Sequence, residues 1–312
     1  MLKALVLGEI CNDVILYDPK SVPVFNTPVW AREAAIRLGG SATYTAQGLK
    51  ALGVDVSIHS CVGDDSLTHH FLDELKAQGI RIEQVSVQAE ISTPTCLCSV
   101  ASGTKKFIGC SRFPDYPLEL LDISLHDERL VYFGGYLMYP ELWQGSLANL
   151  FARAKDQALI VVDTQFLPIS ADLYRQRALT KDNLRDVDLL LVNRSESLAL
   201  TACKKPVEAA KYLADLGPKT IVTKLGDQGC LVWSDDEWFE SQPFNAPARD
   251  PLGAGDLFGA AFSFGCLQKW DLKYTSDFAN AFAALSISRD RVDLPGIGAT
   301  QDFMNTRSRA AI

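Results

Sequence analysis

Short runs of β-branched and aliphatic residues alternate with longer stretches of helical period along most of this chain. That alternation restricts the fold more than any other feature. The strand-like runs are Lys3–Leu7, Val56–Cys61, Leu130–Phe133, Ala158–Val162, Asp188–Val192 and Thr220–Lys224. Helical patterns lie between them near Ala42–Leu52, Leu67–Gln78, Pro140–Ala154, Ala171–Asn183 and Val207–Leu216, and two more near Gly255–Gln268 and Tyr274–Ser288 close the chain. A parallel strand pair needs a crossover long enough to hold a helix. The alternation therefore predicts an α/β protein in three layers, a mostly parallel sheet with helices on both faces.

Two regions break the pattern. Ile15–Ile36 carries Pro19, Pro23 and Pro28 and no helical period. Arg81–Cys110 holds three strand-like runs in succession, Ile82–Val87, Thr95–Ala101 and Lys105–Ile108, with Ser102-Gly103-Thr104 as a hairpin turn between the last two. These stretches, about 14–37 and 81–113, are expected to form a small separate β-sheet at the rim of the larger one, where a lid belongs. At roughly 150 residues per domain the 312 residues make about two units. With no repeat or linker, the reading is one α/β domain over 1–312 with the lid inserted.

The charge balance, 30 basic against 38 acidic residues for a net −8, argues against a nucleic-acid footprint, which needs clustered Lys and Arg. It leaves a small anionic ligand open, because backbone N–H groups hold one without positive side chains. No stretch approaches the roughly 18 uncharged residues of a membrane span. The apolar opening is broken by Glu9 and Asp13 and reads as a first strand, so a soluble cytoplasmic protein is expected. The eight cysteines and four histidines show no zinc spacing, and the cysteines read as small buried hydrophobes in a reducing cytoplasm.

The chemistry concentrates in Asp250-Pro251-Leu252-Gly253-Ala254-Gly255-Asp256, which opens an apolar helix. Residues 253–255 can turn their N–H groups toward one point at a helix N-terminus, a place that attracts an anion. Asp256 beside a phosphate makes sense if it removes a proton from the hydroxyl attacking that phosphate. The alternative is an Asp that merely stabilises the first turn. There is no Gly-Lys dipeptide, hence no Walker A loop, and Phe258 stands where the dinucleotide fingerprint has its third glycine. The second segment, Gly39-Gly40 before a helix of small residues, lets backbone approach a ligand closely, or simply places Ser41 as a helix N-cap.

Together these segments resemble the ribokinase-like (PfkB) carbohydrate kinase family. Asp250-Pro251-Leu252-Gly253-Ala254-Gly255-Asp256-Leu257-Phe258 is similar to its C-terminal motif, and Gly39-Gly40 running to Leu52-Gly53 to its N-terminal one. Gly8 with Asp13, Val62-Gly63-Asp64-Asp65, Asn193-x-x-Glu196 and Lys224-Leu225-Gly226-Asp227-Gln228-Gly229 follow in the family's order. The resemblance covers essentially the whole chain and implies the ribokinase-like fold with a β-sheet lid.

The resemblance also implies roles. Asp256 would be the catalytic base, with Gly253, Ala254 and Gly255 as the anion hole. Asn193 and Glu196 would organise Mg2+ and the triphosphate of ATP through water. Lys224, Gly226 and Gly229 would form the nucleotide loop, with Asn280 flanking the adenine. Asp13, Gly39 and Gly40 would hold the substrate, Asp250 would support a monovalent cation such as K+, and the lids of a homodimer would cover each other's sites.

Departures from the family's pattern bear on specificity. Tyr44 stands where many sugar-binding members have Asn, and Pro251-Leu252 replace a Thr-x pair. Asp163-Thr164-Gln165-Phe166-Leu167-Pro168 lacks the family's Arg, leaving Asp163 and Gln165 to face the substrate. The expectation is an ATP-dependent kinase acting on a hydroxyl of a sugar, sugar acid or polyol, without nucleic-acid or membrane partners. Its rivals are a nucleoside kinase, for which Tyr44 would stack on a base, a non-catalytic nucleotide- or sugar-binding regulator, and a dinucleotide-dependent oxidoreductase disfavoured by the missing glycine fingerprint. His69-His70, Arg112 and the Arg307/Arg309 pair read as solvated surface, and Phe258, Phe262 and Phe264 as core.

Overall fold

The computed structural model describes residues 2–19, 28–110, 123, 125–165, 177–289 and 293–306. In chain order the strands are β1 (Lys3–Leu7), β2 (Cys11–Tyr17), β3 (Glu33–Gly39), β4 (Asp55–Gly63), β5 (Arg81–Gln88), β6 (Thr95–Ala101), β7 (Thr104–Cys110), β8 (Leu130–Gly134), β9 (Leu159–Asp163), β10 (Leu189–Asn193), β11 (Thr220–Lys224), β12 (Cys230–Ser234) and β13 (Glu237–Ser241). Nine of them form one sheet in the order β13-β12-β11-β10-β9-β8-β1-β4-β5, and four form a second in the order β3-β2-β6-β7. The large sheet is parallel from β5 to β11, and β12 and β13 close its far edge antiparallel.

Alternation within the strands explains the layers. Ala4, Val6, Tyr132, Val161, Leu191 and Val222 enter one apolar core, whereas Leu5, Leu7, Val131, Phe133, Ile160, Val162, Leu190 and Ile221 enter another. Successive side chains of a strand point to opposite faces, so a sheet whose central strands carry apolar residues on both faces must be covered on both. Helices Ser41–Ala51, Ala254–Leu267 and Leu272–Ile287 supply residues to the first core, and Ser146–Ala154 and Pro206–Ala214 to the second.

The grouping of strands differs from the sequence reading at one place. Arg81–Gln88, expected in the small sheet, runs parallel to β4 at the edge of the large one. The helix Ser66–Ala77 is long enough to return the chain alongside β4, which makes β4–helix–β5 an ordinary crossover unit. The small sheet instead begins at Cys11, and its β6–β7 turn is Ser102-Gly103, both in the left-handed region at φ 49° and 72°. Trp233 and Trp238 stand directly opposite one another in the β12–β13 hairpin.

The helical pattern at Pro140–Ala154 divides at Gly145 into a short 3-10 turn and the helix Ser146–Ala154. Most of the Ala171–Asn183 pattern, Arg112, Phe166–Pro168, and Arg307 with Arg309 lie outside the described residues. Among the described residues no helix is long and apolar enough to cross a membrane. His69 and His70 are exposed, and Phe258, Phe262 and Phe264 are buried.

The small sheet rests on the large domain through Ile15, Cys98, Val100 and Leu252. Its inner face therefore lies over the C-terminal ends of the parallel strands. In an open α/β sheet that edge is where ligands bind.

Candidate active site

Asp256 stands in the first turn of the helix Ala254–Leu267 and is 9% exposed. One carboxylate oxygen, Oδ1, accepts hydrogen bonds from Ser41 Oγ at 2.8 Å and from Gln165 Nε2 at 2.7 Å. Three distant segments thus aim this carboxylate: the C-terminal motif, the residue after Gly39-Gly40, and the loop after β9. The helix begins at Gly253, which sits at φ 63° and would set a Cβ 2.5 Å from the ring of Tyr44. Only glycine meets both demands, the left-handed backbone and the close approach.

Tyr44 is the bridge between the two motifs. Its ring lies on Gly253, and its hydroxyl donates to Asp13 Oδ2. Asp13 is 4% exposed, and its carboxylate lies over Gly39 so closely that a Cβ there would collide with it. The Cys11 thiol donates to the other oxygen, Oδ1, at 3.6 Å, and Cys96 lies beside them. Tyr44 is therefore packed and hydrogen-bonded, with its face on Gly253, and is no open platform for a base. Gly40, rather than Ser41, caps the helix Ser41–Ala51, which frees the Ser41 hydroxyl to reach Asp256.

Behind Asp256 lies a second group of charges. Lys224, at the end of β11, donates from Nζ to Asp163 Oδ2 at 2.7 Å, and the Tyr132 hydroxyl donates to the same oxygen at 3.1 Å. Asp163 Oδ1 is buried without a hydrogen-bond partner. Burial raises the Asp163 carboxyl to about 6 against the opposing pull of Lys224. Burial would lower the Lys224 ammonium, but Asp163, Glu196 and Asp256 outweigh it and hold its pKa above the ordinary lysine value. The ammonium also packs on Gly255, where a Cβ would lie 3.5 Å from it.

The placements of several expected residues are more structural than their motifs suggested. Asn193 and Glu196 form a capping box: Asn193 Oδ1 accepts from the Glu196 N–H at 2.8 Å, and Glu196 Oε2 from the Asn193 N–H at 2.8 Å. Glu196 Oε2 also accepts from Thr164 Oγ1 at 2.7 Å. Asp163, expected to face substrate, is fully buried under Lys224 and orients it. Gly226 and Gly229 form the turn from β11 to β12. Asn280 is buried, and its amide donates to Ser241 Oγ at 2.9 Å and to the Gln242 carbonyl at 3.2 Å, tying its helix to the end of β13.

Asp250 meets a different cation from the one expected. The Arg37 guanidinium forms an ion pair with its buried carboxylate, and Asp250 Oδ1 also accepts from the Leu252 N–H at 3.2 Å. A monovalent cation at this carboxylate would lie against a fixed positive charge and does not fit.

Three residues escaped the sequence reading. Glu9 is 4% exposed, accepts from the Ser41 N–H at 3.0 Å, and has its pKa raised well above the ordinary value by burial. Ser41 and Thr164 look like cap and loop residues until the fold places their hydroxyls on Asp256 and Glu196. Nothing in their spacing announces it, although a Glu directly after a buried strand is itself a signal.

Comparison with known proteins agrees with this geometry. A family model described as "pfkB family carbohydrate kinase" matches residues 1–295. A 5-dehydro-2-deoxygluconokinase of Clostridium perfringens is 24% identical over 282 residues, covering 86% of this chain and 83% of that protein. A nucleoside kinase of Methanothermobacter thermautotrophicus is 25% identical over 303 residues, covering 94% and 93%. The structure of Arabidopsis thaliana ribokinase complexed with ribose and ATP superposes with a TM-score of 0.77 at 18% identity, covering 97% of this chain and 99% of that one.

Proposed function

The chain belongs to the pfkB family of carbohydrate kinases, and from that premise we propose a mechanism in which Asp256 deprotonates the acceptor hydroxyl as it attacks the γ-phosphorus of ATP. The enzyme is a phosphotransferase with an alcohol group as acceptor. The observation that carries the assignment of Asp256 is its convergence with Ser41 and Gln165 at a helix N-terminus on the C-terminal edge of the sheet.

In this mechanism the acceptor lies between Asp13 and Asp256, under the small sheet acting as a lid. Asp13, oriented by Tyr44 and Gly39, accepts hydrogen bonds from acceptor hydroxyls. Ser41 and Gln165 hold the Asp256 carboxylate toward the reacting hydroxyl. The peptide groups of Gly253, Ala254 and Gly255 face the charge developing on the transferred phosphoryl group. Lys224, held by Asp163, offers its ammonium beside Gly255, and the turn at Gly226 and Gly229 flanks the nucleotide.

Glu196, buried at the start of the helix after β10, offers a hard carboxylate of the kind Mg2+ takes. Glu196 and Asn193 would hold the ion through water. When bound, it neutralises charge on the triphosphate oxygens.

The outer face of the lid supports a homodimer. Val14 and Ile36 stand opposite one another in β2 and β3, on the face away from Asp13, and Ile36 is 57% exposed. Light scattering should find a dimer that Ile36→Asp converts to monomer. The described cysteines are free thiols, which suits a cytoplasmic protein.

An ADP-release screen with Mg2+ across sugars, sugar acids, polyols and nucleosides tests the assignment. Acceptor-dependent release from sugars or their acids is expected, with equal rates in potassium and in tetramethylammonium salts. Release with nucleosides alone would move the reading to a nucleoside kinase. No release with any acceptor would favour a binding protein.

A further inference from the structure

Beneath the small sheet lies a cavity of about 300 Å³ whose lining includes four guanidinium groups, Arg32, Arg37, Arg249 and Arg289, against two carboxylates, Glu33 and Asp250. This is an unusual concentration in a chain with 38 acidic and 30 basic residues. Arg37 stands directly opposite Asp13 in the β2–β3 register, so the two side chains leave the same face of the sheet. One Arg37 amino group pairs with Asp250, while the other, Nη2, is buried without a hydrogen-bond partner. Arg289 reaches Asp293 only at 4.0 Å.

A buried guanidinium N–H without an acceptor is a donor waiting for oxygen. Planar guanidinium forks match carboxylate and phosphate groups with two parallel hydrogen bonds. The cavity is at the lower end of the size range for small-molecule sites and has room for one charged group on a short carbon chain.

We propose that the acceptor of this kinase is an anion: its carboxylate or phosphate sits among Arg37, Arg249 and Arg289, while its hydroxyls lie toward Asp13 and Asp256. The inference rests on the kinase reading and narrows its acceptor class. It assigns Arg249 and Arg289 to substrate specificity, at a distance from the reacting atoms.

Matched acceptors test it. Initial rates are compared for an aldonate against its alditol and for a hexose 6-phosphate against the free hexose, in the wild type, in Arg249→Gln/Arg289→Gln and in Arg289→Lys. One or both anions should exceed the neutral partner by about 10–100-fold in kcat/KM. The double variant should lose most of that preference through KM, and Arg289→Lys, which keeps the charge but loses the fork, should retain only part of it. Which anion wins separates a carboxylate from a phosphate acceptor. Neutral acceptors winning, or a preference untouched by the double variant, would overturn the proposal.

If no acceptor releases ADP, the kinase reading fails by itself, and calorimetric binding of the aldonate and the hexose phosphate decides the cavity. Binding that the double variant abolishes keeps the anion site. Absence of binding, or inorganic phosphate bound as tightly as either acceptor, refutes an acceptor pocket. Circular dichroism checks that each variant is folded.

Discussion

The two ends of the proposed site are built in different ways. The phosphoryl end is almost entirely local in sequence: Gly253, Ala254, Gly255 and Asp256 follow one another at the start of a single helix. The acceptor end is assembled across the chain, with Asp13 on β2, Arg37 and Gly39 on β3, Tyr44 on the next helix and Cys96 on β6. A helix N-terminus supplies the same donors whatever the ligand, so chemistry common to many substrates can reside there. Selection among acceptors needs side chains from several directions, and Tyr44 is one place where this chain departs from its family's pattern.

Substitutions can separate the two ends. The largest effect is expected from Asp256→Asn, which should lower kcat by about 10²–10⁴ with little change in acceptor KM or thermal midpoint. A comparable loss of stability would make Asp256 part of the scaffold. Gly253→Ala should strike both ends together, because it strains a left-handed residue and presses on the Tyr44 ring. About 1–2 kcal/mol of backbone strain and about 1–3 of overpacking are expected, read by urea denaturation. Tyr44→Phe should affect the acceptor end alone. Loss of a hydrogen bond to a carboxylate, about 1.5–3 kcal/mol, should raise acceptor KM about tenfold or more while the KM for ATP holds.

The smallest effect is the pH response of Asp163. Its carboxyl, raised to about 6, should give kcat/KM a limb that climbs as pH passes through 6 and that Asp163→Asn lacks. The stability sign is opposite. A raised folded-state pKa favours the folded chain while the acid is protonated, so this contribution is present below about pH 4 and is lost as pH rises through about 6. Denaturation of wild type against Asp163→Asn between pH 4 and 7 reads the difference.

How far the site was legible follows the same division. Asp256 and its glycines were readable because a helix N-terminus and its first-turn carboxylate are neighbours in sequence. The parallel order of strands was readable because helix-length crossovers separate them in sequence. The lid was misdrawn at Arg81–Gln88, since alternation marks a strand without saying which sheet it joins. Ser41, Thr164 and Glu9 were missed because their partners lie 215, 32 and 32 positions away. Asn193-x-x-Glu196 was recognised as a motif, but its capping box, a local arrangement, went unread. Arg37 carried no signal at all until the register set it opposite Asp13 and the fold brought Asp250 against it.

The contact of Tyr44 with Gly253 also governs the order in which the molecule can be completed. The helix Ser41–Ala51 presents Gly48 to Ala260 and Tyr44 to Gly253, so the part of its surface turned away from the sheet stays uncovered until the last quarter of the chain is present. During synthesis the early strands can pair, but the acceptor end waits for residues that leave the ribosome long afterwards. A truncated chain ending before Gly253 would keep the paired glycines and Asp13 yet leave the Tyr44 helix a sticky, proteolysis-prone surface. A chain truncated before Gly253 should therefore bind no acceptor, and the full chain should gain binding together with protection of the Tyr44 helix from proteolysis.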